Sequence, residues 1–180
     1  DTAATSLQFA VDFVPAGATV LVAATHYPLP ATLAIGKALY LKSTAGPATT
    51  ILDGGNAARV LLLTNAGAIV EGFTLQRGNS GSSSGGGVRI EPAGTLINCV
   101  IRSNTTERSG GGVAMIGGGN LRNCLLHANS ANSERGGGAY TYTEGPPPVV
   151  ENCTFSQNSA NEGGGVYLNG TVTFRNSLIW

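Results

Sequence analysis

The sequence contains few charged residues, and their charges cancel. Only 11% of the 180 residues are charged, and the formal net charge is zero at pH 7. The ten cations are scattered singly, with no run of like charge. Binding to nucleic acid or to an anionic membrane requires a basic face. The composition therefore argues against both as partners.

Long hydrophobic runs are also missing. A membrane-spanning helix needs about 20 consecutive apolar residues. The longest apolar stretch, residues 60–70, is interrupted by Thr64 and Asn65, so we expect no membrane insertion in this segment. The chain begins at Asp1 without a methionine, which fits either a processed mature protein or an excised fragment.

Residues that commonly bind metals are sparse. The chain has two histidines and three cysteines. Neither His26, in an expected loop, nor His127 has a second histidine or a cysteine at metal-ligand spacing. We therefore expect no metal and no cofactor.

Glycine, in contrast, is abundant, and it belongs to an internal repeat. The 27 glycines occur in a chain that is 42% hydrophobic, so they are turn residues of a fold and not a disordered segment. Four segments centred on an asparagine align without gaps, and glycine triplets follow the first three. The aligned asparagines are Asn98, Asn123, Asn152 and Asn176, and the triplets are residues 110–112, 136–138 and 163–165.

The columns of this repeat indicate short strands joined by corners. Positions two before and three after the asparagine are always apolar, as in Leu121 and Leu126. The residue just after the asparagine is assigned to the same side as these two apolar positions. A continuous strand cannot place all three positions on one side, because strand side chains alternate. A corner at Asn123, with a left-handed backbone, resolves this conflict. Each period of 24 to 29 residues thus predicts three strands and three corners, which is one coil of a parallel β-helix.

The N-terminal part predicts a helix followed by less regular strands. Apolar residues share one face of a helix over residues 6–14, which ends before Pro15. Strands are expected at residues 19–23, 33–41, 50–53 and 60–64. The sequence therefore predicts an all-β, right-handed parallel β-helix over residues 19–180, regular over 69–180, preceded by an N-terminal segment and capping helix in residues 1–18.

The repeat resembles a known family. Residues 152–158 and 163–166 are similar to the paired Asn-Cys-x-Phe-x-x-Asn and Gly-Gly-Gly-Val motifs of polymorphic outer-membrane-protein repeats. The wider resemblance is to the pectate-lyase-like β-helix superfamily, over about residues 19–180. This resemblance implies the fold, but the superfamily includes lyases, hydrolases, adhesins and scaffolds.

No catalytic residue can be transferred from that resemblance. Its enzymes use acidic clusters on neighbouring coils, and glycoside hydrolysis needs two carboxylates within about 5–10 Å. Glu71 and Glu151 share a column but are three coils apart, and Arg122 and Arg175 occupy the same column. We interpret this column as a charge ladder and predict no catalytic residues.

Two further columns have structural interpretations. The three cysteines, Cys99, Cys124 and Cys153, fall in one inward column, which favours a stack of small buried side chains over disulfides. The four aligned asparagines predict a buried ladder of side-chain amides. Asn104, Asn152 and Asn169 match the glycosylation sequon, and the ladder would make Asn152 inaccessible.

Two surfaces are candidate binding sites. Val100, Leu125 and Leu178 lie in one outward column and form an apolar stripe, which ends near Ile179 and Trp180. These five residues are the predicted self-association surface, for lateral or end-to-end contact with a second copy. Further coils of a longer chain could also cover the last two. Tyr140 and Tyr167 follow glycine triplets and are candidate sugar contacts, because exposed rings stack on sugars.

The sequence favours a non-enzymatic, secreted or cell-surface structural module, such as an adhesin-type stalk or a subunit of an extracellular filament. The alternative is a β-helix domain that binds or degrades polysaccharide. An acidic cluster on one outer face would favour the enzyme, and glycan binding would favour the sugar-binding module.

Overall fold

The chain winds into a right-handed parallel β-solenoid of about six turns, preceded by one helix. The computed structural model describes residues 3–143 and 145–180, with side chains described from residue 7 onward. The predicted fold class is confirmed.

Helix α1 (Ala3–Phe13) covers the first coil. It begins and ends slightly earlier than the predicted range of residues 6–14. Leu7 and Val11 are buried against the solenoid core. The Gln8 side chain pairs with the backbone of Ala34, accepting from its N–H at 2.9 Å and donating to its carbonyl at 3.1 Å. The helix thus covers apolar surface and also satisfies the backbone at the edge of the first coil.

The strands are short, and each complete coil contributes one to each of three sheets. In chain order they are β1 (Thr19–Val22), β2 (His26–Pro28), β3 (Leu33–Ile35), β4 (Leu39–Ser43), β5 (Ile51–Asp53), β6 (Leu61–Leu63), β7 (Ala68–Glu71), β8 (Thr74–Gln76), β9 (Val88–Ile90), β10 (Thr95–Ile97), β11 (Val100–Arg102), β12 (Thr105–Thr106), β13 (Val113–Ile116), β14 (Asn120–Arg122), β15 (Leu125–His127), β16 (Ser130–Arg135), β17 (Ala139–Tyr142), β18 (Val149–Glu151), β19 (Thr154–Ser156), β20 (Ser159–Glu162), β21 (Val166–Asn169), β22 (Thr173–Arg175) and β23 (Leu178–Ile179).

Strands from successive coils pair in parallel. Sheet A contains β1, β4, β7, β10, β14, β18 and β22; sheet B contains β2, β5, β8, β11, β15, β19 and β23; sheet C contains β3, β6, β9, β13, β17 and β21. A small sheet D contains β12, β16 and β20. Because the strands pair in register, residues in one repeat column are stacked along the solenoid.

The predicted corner between sheets A and B is confirmed. Asn98, Asn123, Asn152 and Asn176 all have positive φ, between 45° and 53°. A second left-handed corner follows sheet B, at Ser103, Ala128 and Gln157, with φ between 52° and 54°. The sequence predicted three corners per coil but did not locate this one, because these side chains share no chemistry.

The predicted buried position of the asparagine ladder is wrong. The four corner asparagines are exposed, and one contact joins them, from Asn152 Nδ2 to Asn123 Oδ1 at 3.1 Å. The corner turns their side chains toward solvent. Asn152 is consequently exposed, contrary to the expectation that it is inaccessible, whereas the sequon at Asn104 is buried.

A second asparagine column lies six residues further along, and we call it the inner asparagine column: Asn104 and Asn129, which are buried, and Asn158, which is partly buried. Asn104 Nδ2 donates to Asn129 Oδ1 at 3.0 Å, and Asn129 Nδ2 donates to Asn158 Oδ1 at 3.0 Å. Each amide also donates to a strand carbonyl of the preceding coil, as Asn129 does to Ile101 at 2.9 Å. This column satisfies buried backbone groups next to the second corner.

The glycine triplets allow neighbouring coils to approach closely. A Cβ at Gly137 would lie 2.3 Å from the Ser159 carbonyl oxygen and 2.5 Å from that of Gly164. Only glycine permits this backbone-to-backbone packing. The triplets therefore set the spacing of the coils at the entrance to sheet C.

Two strand predictions in the first coils are wrong. Residues 33–41 form two strands, β3 and β4, separated by residues 36–38, and His26 lies in strand β2 instead of a loop. Strands of three residues are too short to show a reliable alternation in sequence. The same three sheets therefore run from the first coil onward.

Candidate functional site

The apolar stripe lies on the outer face of sheet B. Val100, Leu125 and Leu178 occupy one column, with Thr154 between the last two. Leu125 is 36% exposed and Leu178 is 58% exposed, while Val100 is partly buried. The structure thus brings the three aliphatic side chains into one line.

The other two residues of the predicted self-association surface lie at the last described strand edge. Ile179 belongs to the inward column of sheet B, next to Phe155, yet it is 50% exposed. Trp180 donates its backbone N–H to the Phe155 carbonyl, and its side chain is 73% exposed. No strand of the described residues pairs with the far side of β23. This edge therefore exposes both apolar side chains and backbone hydrogen-bonding groups.

The two candidate sugar-contact tyrosines stack on the outer face of sheet C. Tyr140 and Tyr167 are register partners, with ring centroids 6.0 Å apart and planes inclined by 19°. The guanidinium carbon of Arg135 lies 4.9 Å from the centre of the Tyr167 ring. Arg135 also donates to Glu162 at 2.9 Å. The rings are thus held by each other and by a cation that is itself paired.

A pocket lies next to this tyrosine pair. The register between β16 and β20 shifts between Ala131 and Arg135, which marks a bulge in β16. The bulge opens a polar pocket of about 320 Å³ lined by Ser133, Glu134, Arg135, Asn161 and Glu162. Arg135 lines this pocket and contacts the tyrosines, so the two features form one surface.

Most described carboxylates pair with a cation from a neighbouring coil. The pairs are Arg77–Asp53 at 2.6 Å, Lys42–Glu71 at 3.4 Å, Arg108–Glu134 at 2.8 Å, Arg122–Glu151 at 3.8 Å and Arg135–Glu162 at 2.9 Å. Glu107 accepts hydrogen bonds from Asn132 and Ser133 of the next coil. Glu91 pairs within its own strand region, with Arg89 at 2.6 Å. The charge-ladder hypothesis is thus confirmed for Arg122 and Glu151, and it extends to other columns.

The most elaborate of these contacts surrounds Asp53, a residue that the sequence predicted only as the end of a strand, residues 50–53. Its side chain is 1% exposed and accepts from Arg77, from Gln76 Nε2 at 2.7 Å and from the Gly55 N–H at 2.9 Å. His26 Nε2 lies 2.8 Å from Asp53 Oδ2. Burial raises the pKa of Asp53, but the hydrogen bonds outweigh it and hold that pKa well below its usual range. The carboxylate therefore stays ionised and fastens three coils together.

This cluster could have been found only by aligning the irregular first coils with the later repeats. Asp53 occupies the outward column of Gln76, Arg102 and His127, which is the last position of each sheet B strand. The first coils lack the Asn-Cys step that anchors the alignment. Their register therefore emerges only from the paired strands.

The three cysteines are buried and free, in one column as predicted. Each thiol donates to the carbonyl two residues earlier, as Cys124 does to Arg122 at 3.2 Å. Ser177 occupies the same column in the last coil and makes the equivalent bond to Arg175 at 2.8 Å. The column thus accommodates either a thiol or a hydroxyl.

The described residues contain no group of three or more His, Cys, Asp or Glu side chains placed to hold a metal ion. Within residues 3–143 and 145–180, no helix is long and apolar enough to cross a membrane.

The architecture and the outer-face ladders define a parallel β-solenoid whose coils are fastened by polar columns. The chain matches the family model described as "right handed beta helix region" over residues 59–179, about two-thirds of its length. The chain belongs to this family. Comparison with curated proteins and with solved structures found no match. The fold is typical of structural or enzymatic surface modules, so function has to be argued from the surfaces described above.

Proposed function

We propose that the chain is a non-enzymatic structural module of a secreted or cell-surface protein, such as an adhesin-type stalk or a filament subunit. This proposal rests on one observation: most described carboxylates form ion pairs or hydrogen bonds with residues of a neighbouring coil. Side chains that would serve an enzyme as acid, base or calcium ligand are used here to join successive turns. A solenoid fastened in this way is a stiff spacer.

The electrostatics of the acidic residues support this proposal. A general acid needs a carboxyl pKa raised toward neutrality. Instead, the hydrogen bond from Ser109 and the nearby Arg108 lower the pKa of Glu134, although burial opposes them. Asp53 is shifted in the same direction. Both carboxylates favour a permanently ionised, structural state.

Turnover assays test the non-enzymatic proposal. The protein is incubated with pectin, alginate and related polymers, with calcium and with a chelator. We expect no release of reducing ends or unsaturated products above a boiled control. Calcium-dependent product formation that is lost in a Glu134→Gln, Glu162→Gln double variant would contradict the proposal and favour a lyase or hydrolase.

The extracellular location is supported by the resemblance of the Asn-Cys and glycine-triplet motifs to outer-membrane-protein repeats. Fractionation of the native source, with an antibody against this segment, tests it. We expect the antigen in the medium or on intact cells. Detection only after lysis would refute the location without affecting the structural role.

We propose that assembly into a stalk or filament proceeds by self-association through the apolar stripe or the last strand edge. Laterally, the apolar stripe on sheet B would pack against a second copy, because burying exposed Leu125 and Leu178 removes apolar surface from water. At the strand edge, Ile179 and Trp180 would be covered by β-structure from a second copy or from further coils of a longer chain. An intact mass of the native protein distinguishes these two sources.

Sedimentation of the 180-residue chain tests the contact itself. We expect concentration-dependent association that weakens in Leu125→Ser for lateral packing, or in Trp180→Ser for edge packing. Leu62→Ser is the matched control, since Leu62 is a partly exposed outward leucine of sheet C. A monomer at all concentrations would refute self-association.

A second candidate function, glycan binding, is favoured by the stacked tyrosines beside the bulge pocket. Tyr140 and Tyr167 present aromatic surface, while Arg135, Asn161 and Glu162 present hydrogen-bonding groups to the same space. Sugar sites combine such aromatic and polar contacts. The surface thus matches an uncharged or mixed-charge glycan better than a flat protein partner.

A glycan screen followed by calorimetry tests this candidate. We expect Tyr167→Ala to abolish measurable binding of any glycan found. Phe13→Ala should leave binding unchanged, because Phe13 is an exposed aromatic residue on the distant helix. Equal loss in both variants would show that the tyrosine surface is not the site.

A further inference from the structure

Arg59 differs from the other arginines in how it is held. It lies just before β6 and is partly buried. Its Nε donates to the Gly85 carbonyl at 2.8 Å, and its Nη2 donates to Ser83 Oγ at 2.9 Å and to the Ser84 carbonyl at 3.0 Å. These acceptors are all neutral, and they fix one edge of the guanidinium. The Nη1 edge has no hydrogen-bond partner among the described residues.

The charge of Arg59 is not neutralised nearby. The nearest charged groups that act on it are Arg89 and Glu91, and Glu91 is already paired with Arg89 at 2.6 Å. Burial, followed by repulsion from Arg89, lowers the pKa of Arg59, and Glu91 only partly opposes this. Of the other arginines without a carboxylate partner, Arg102 and Arg175 are exposed to water. A partly desolvated cation without a counter-charge is unfavourable, and an anion would relieve that cost.

Arg59 also lines an open pocket of about 510 Å³ that spans three successive coils. The other lining residues are Thr32, Ala57, Asn79, Ser80, Gly81, Ser82 and Ser83. The loop that carries the serines is fixed from the next coil, since Thr106 Oγ1 donates to the carbonyls of Gly81 at 3.1 Å and Ser83 at 2.7 Å. Within the described residues, the Ser82 hydroxyl and backbone N–H have no partner. The loop is therefore held in place at the edge of the pocket, and the Ser82 hydroxyl and N–H are available as hydrogen-bond donors.

We propose that this pocket is a binding site for a small oxyanion, held by the Nη1 edge of Arg59 and the donors of Ser82. The guanidinium supplies charge and paired N–H donors, which suit the oxygens of a phosphate, sulfate or carboxylate group. The serine rim supplies neutral donors from a second direction. The site is independent of the tyrosine surface and of the structural role proposed above.

Calorimetric titration tests the site with inorganic phosphate, inorganic sulfate and acetate, at an ionic strength fixed with sodium chloride. Glucose 6-phosphate is titrated beside inorganic phosphate, to distinguish an esterified ligand from a free ion. We expect saturable binding of at least one probe. Arg59→Gln should weaken it by about tenfold or more, because it removes a charged hydrogen bond.

Two variants complete the design. Ser82→Ala removes only an exposed hydroxyl and should weaken binding about threefold or more while leaving the fold intact. Arg175→Gln, the matched control, should change nothing, since Arg175 is exposed and outside the pocket. No saturable binding of any probe, or equal loss in Arg175→Gln, would overturn the proposal. If Arg59→Gln does not fold, unchanged binding in Ser82→Ala overturns it.

Discussion

The inner asparagine column offers the sharpest test of how the solenoid is stabilised. In Asn129→Ala, four side-chain hydrogen bonds are lost: two donated by Nδ2, to Ile101 and Asn158, and two accepted by Oδ1 from Asn104. At about 1 kcal/mol per bond, the free energy of unfolding should fall by about 4 kcal/mol. A loss of that size is a large part of the roughly 5–15 kcal/mol that stabilises a typical domain.

Asn123→Ala is the matched comparison, because it removes the same side chain from the exposed corner column. It loses one hydrogen bond, from Asn152, and places alanine at a φ of 53°. The left-handed backbone costs about 1 kcal/mol. Asn123→Gly should avoid this backbone cost, since glycine adopts positive φ readily.

Urea unfolding followed by circular dichroism measures all three variants. We expect Asn129→Ala to be the least stable by about 2–3 kcal/mol relative to Asn123→Ala. If the two alanine variants were equally stable, or if Asn123→Ala had the lower free energy of unfolding, the buried amides would not be a main source of stability. The reasoning from hydrogen-bond burial would then fail.

Three further experiments, with five substitutions, test other parts of the solenoid. Asp53→Asn should lower the free energy of unfolding by about 1.5–3 kcal/mol at pH 7. Because the pKa of Asp53 is depressed in the folded state, this difference from wild type should shrink as the pH falls below about 4 in urea titrations. A difference that stays constant with pH would show that the charge of Asp53 is irrelevant. Gly137→Ala should prevent normal coil packing and lower the melting temperature sharply. Gly36→Ala should be tolerated, because its added Cβ would meet its nearest neighbour at 3.5 Å. Similar melting temperatures for the two variants would contradict the argument that Gly137 allows a close approach of the coils. In chemical unfolding, Cys124→Ser should lower the free energy of unfolding by about 1 kcal/mol, and Leu126→Arg should lower it by more than about 4 kcal/mol. The reverse order would overturn the assignment of Leu126 to an inward position.

The regular repeats made the fold predictable. An apolar residue two before and another three after each asparagine cannot share a side without a corner, and the positive φ at Asn123 is the consequence. The cysteine column followed from the same alignment. The first coils were less predictable because they lack the Asn-Cys step that anchors the alignment. Within residues 33–41, Gly36 is the one residue that signals the break between two strands.

The candidate surfaces were only partly visible in the sequence. Alignment placed Val100, Leu125 and Leu178 in one column, and strand register confirms that line. The contacts of Asp53 were not visible, since its partners lie 23 to 27 residues away in coils without the Asn-Cys step. The pocket beside Arg135 depends on a bulge, which no residue type signals.

The sequence by itself determined the coil: its period, its inward columns and the left-handed corner, because local backbone preferences and side-chain alternation act within one repeat. The tertiary structure alone decided which asparagines are buried, which carboxylates find cations and where pockets open. Those outcomes depend on the angle at which each corner directs a side chain and on the neighbouring coil that it meets. Asn123 and Asn129 are six residues apart in one repeat, yet one faces water and the other the interior.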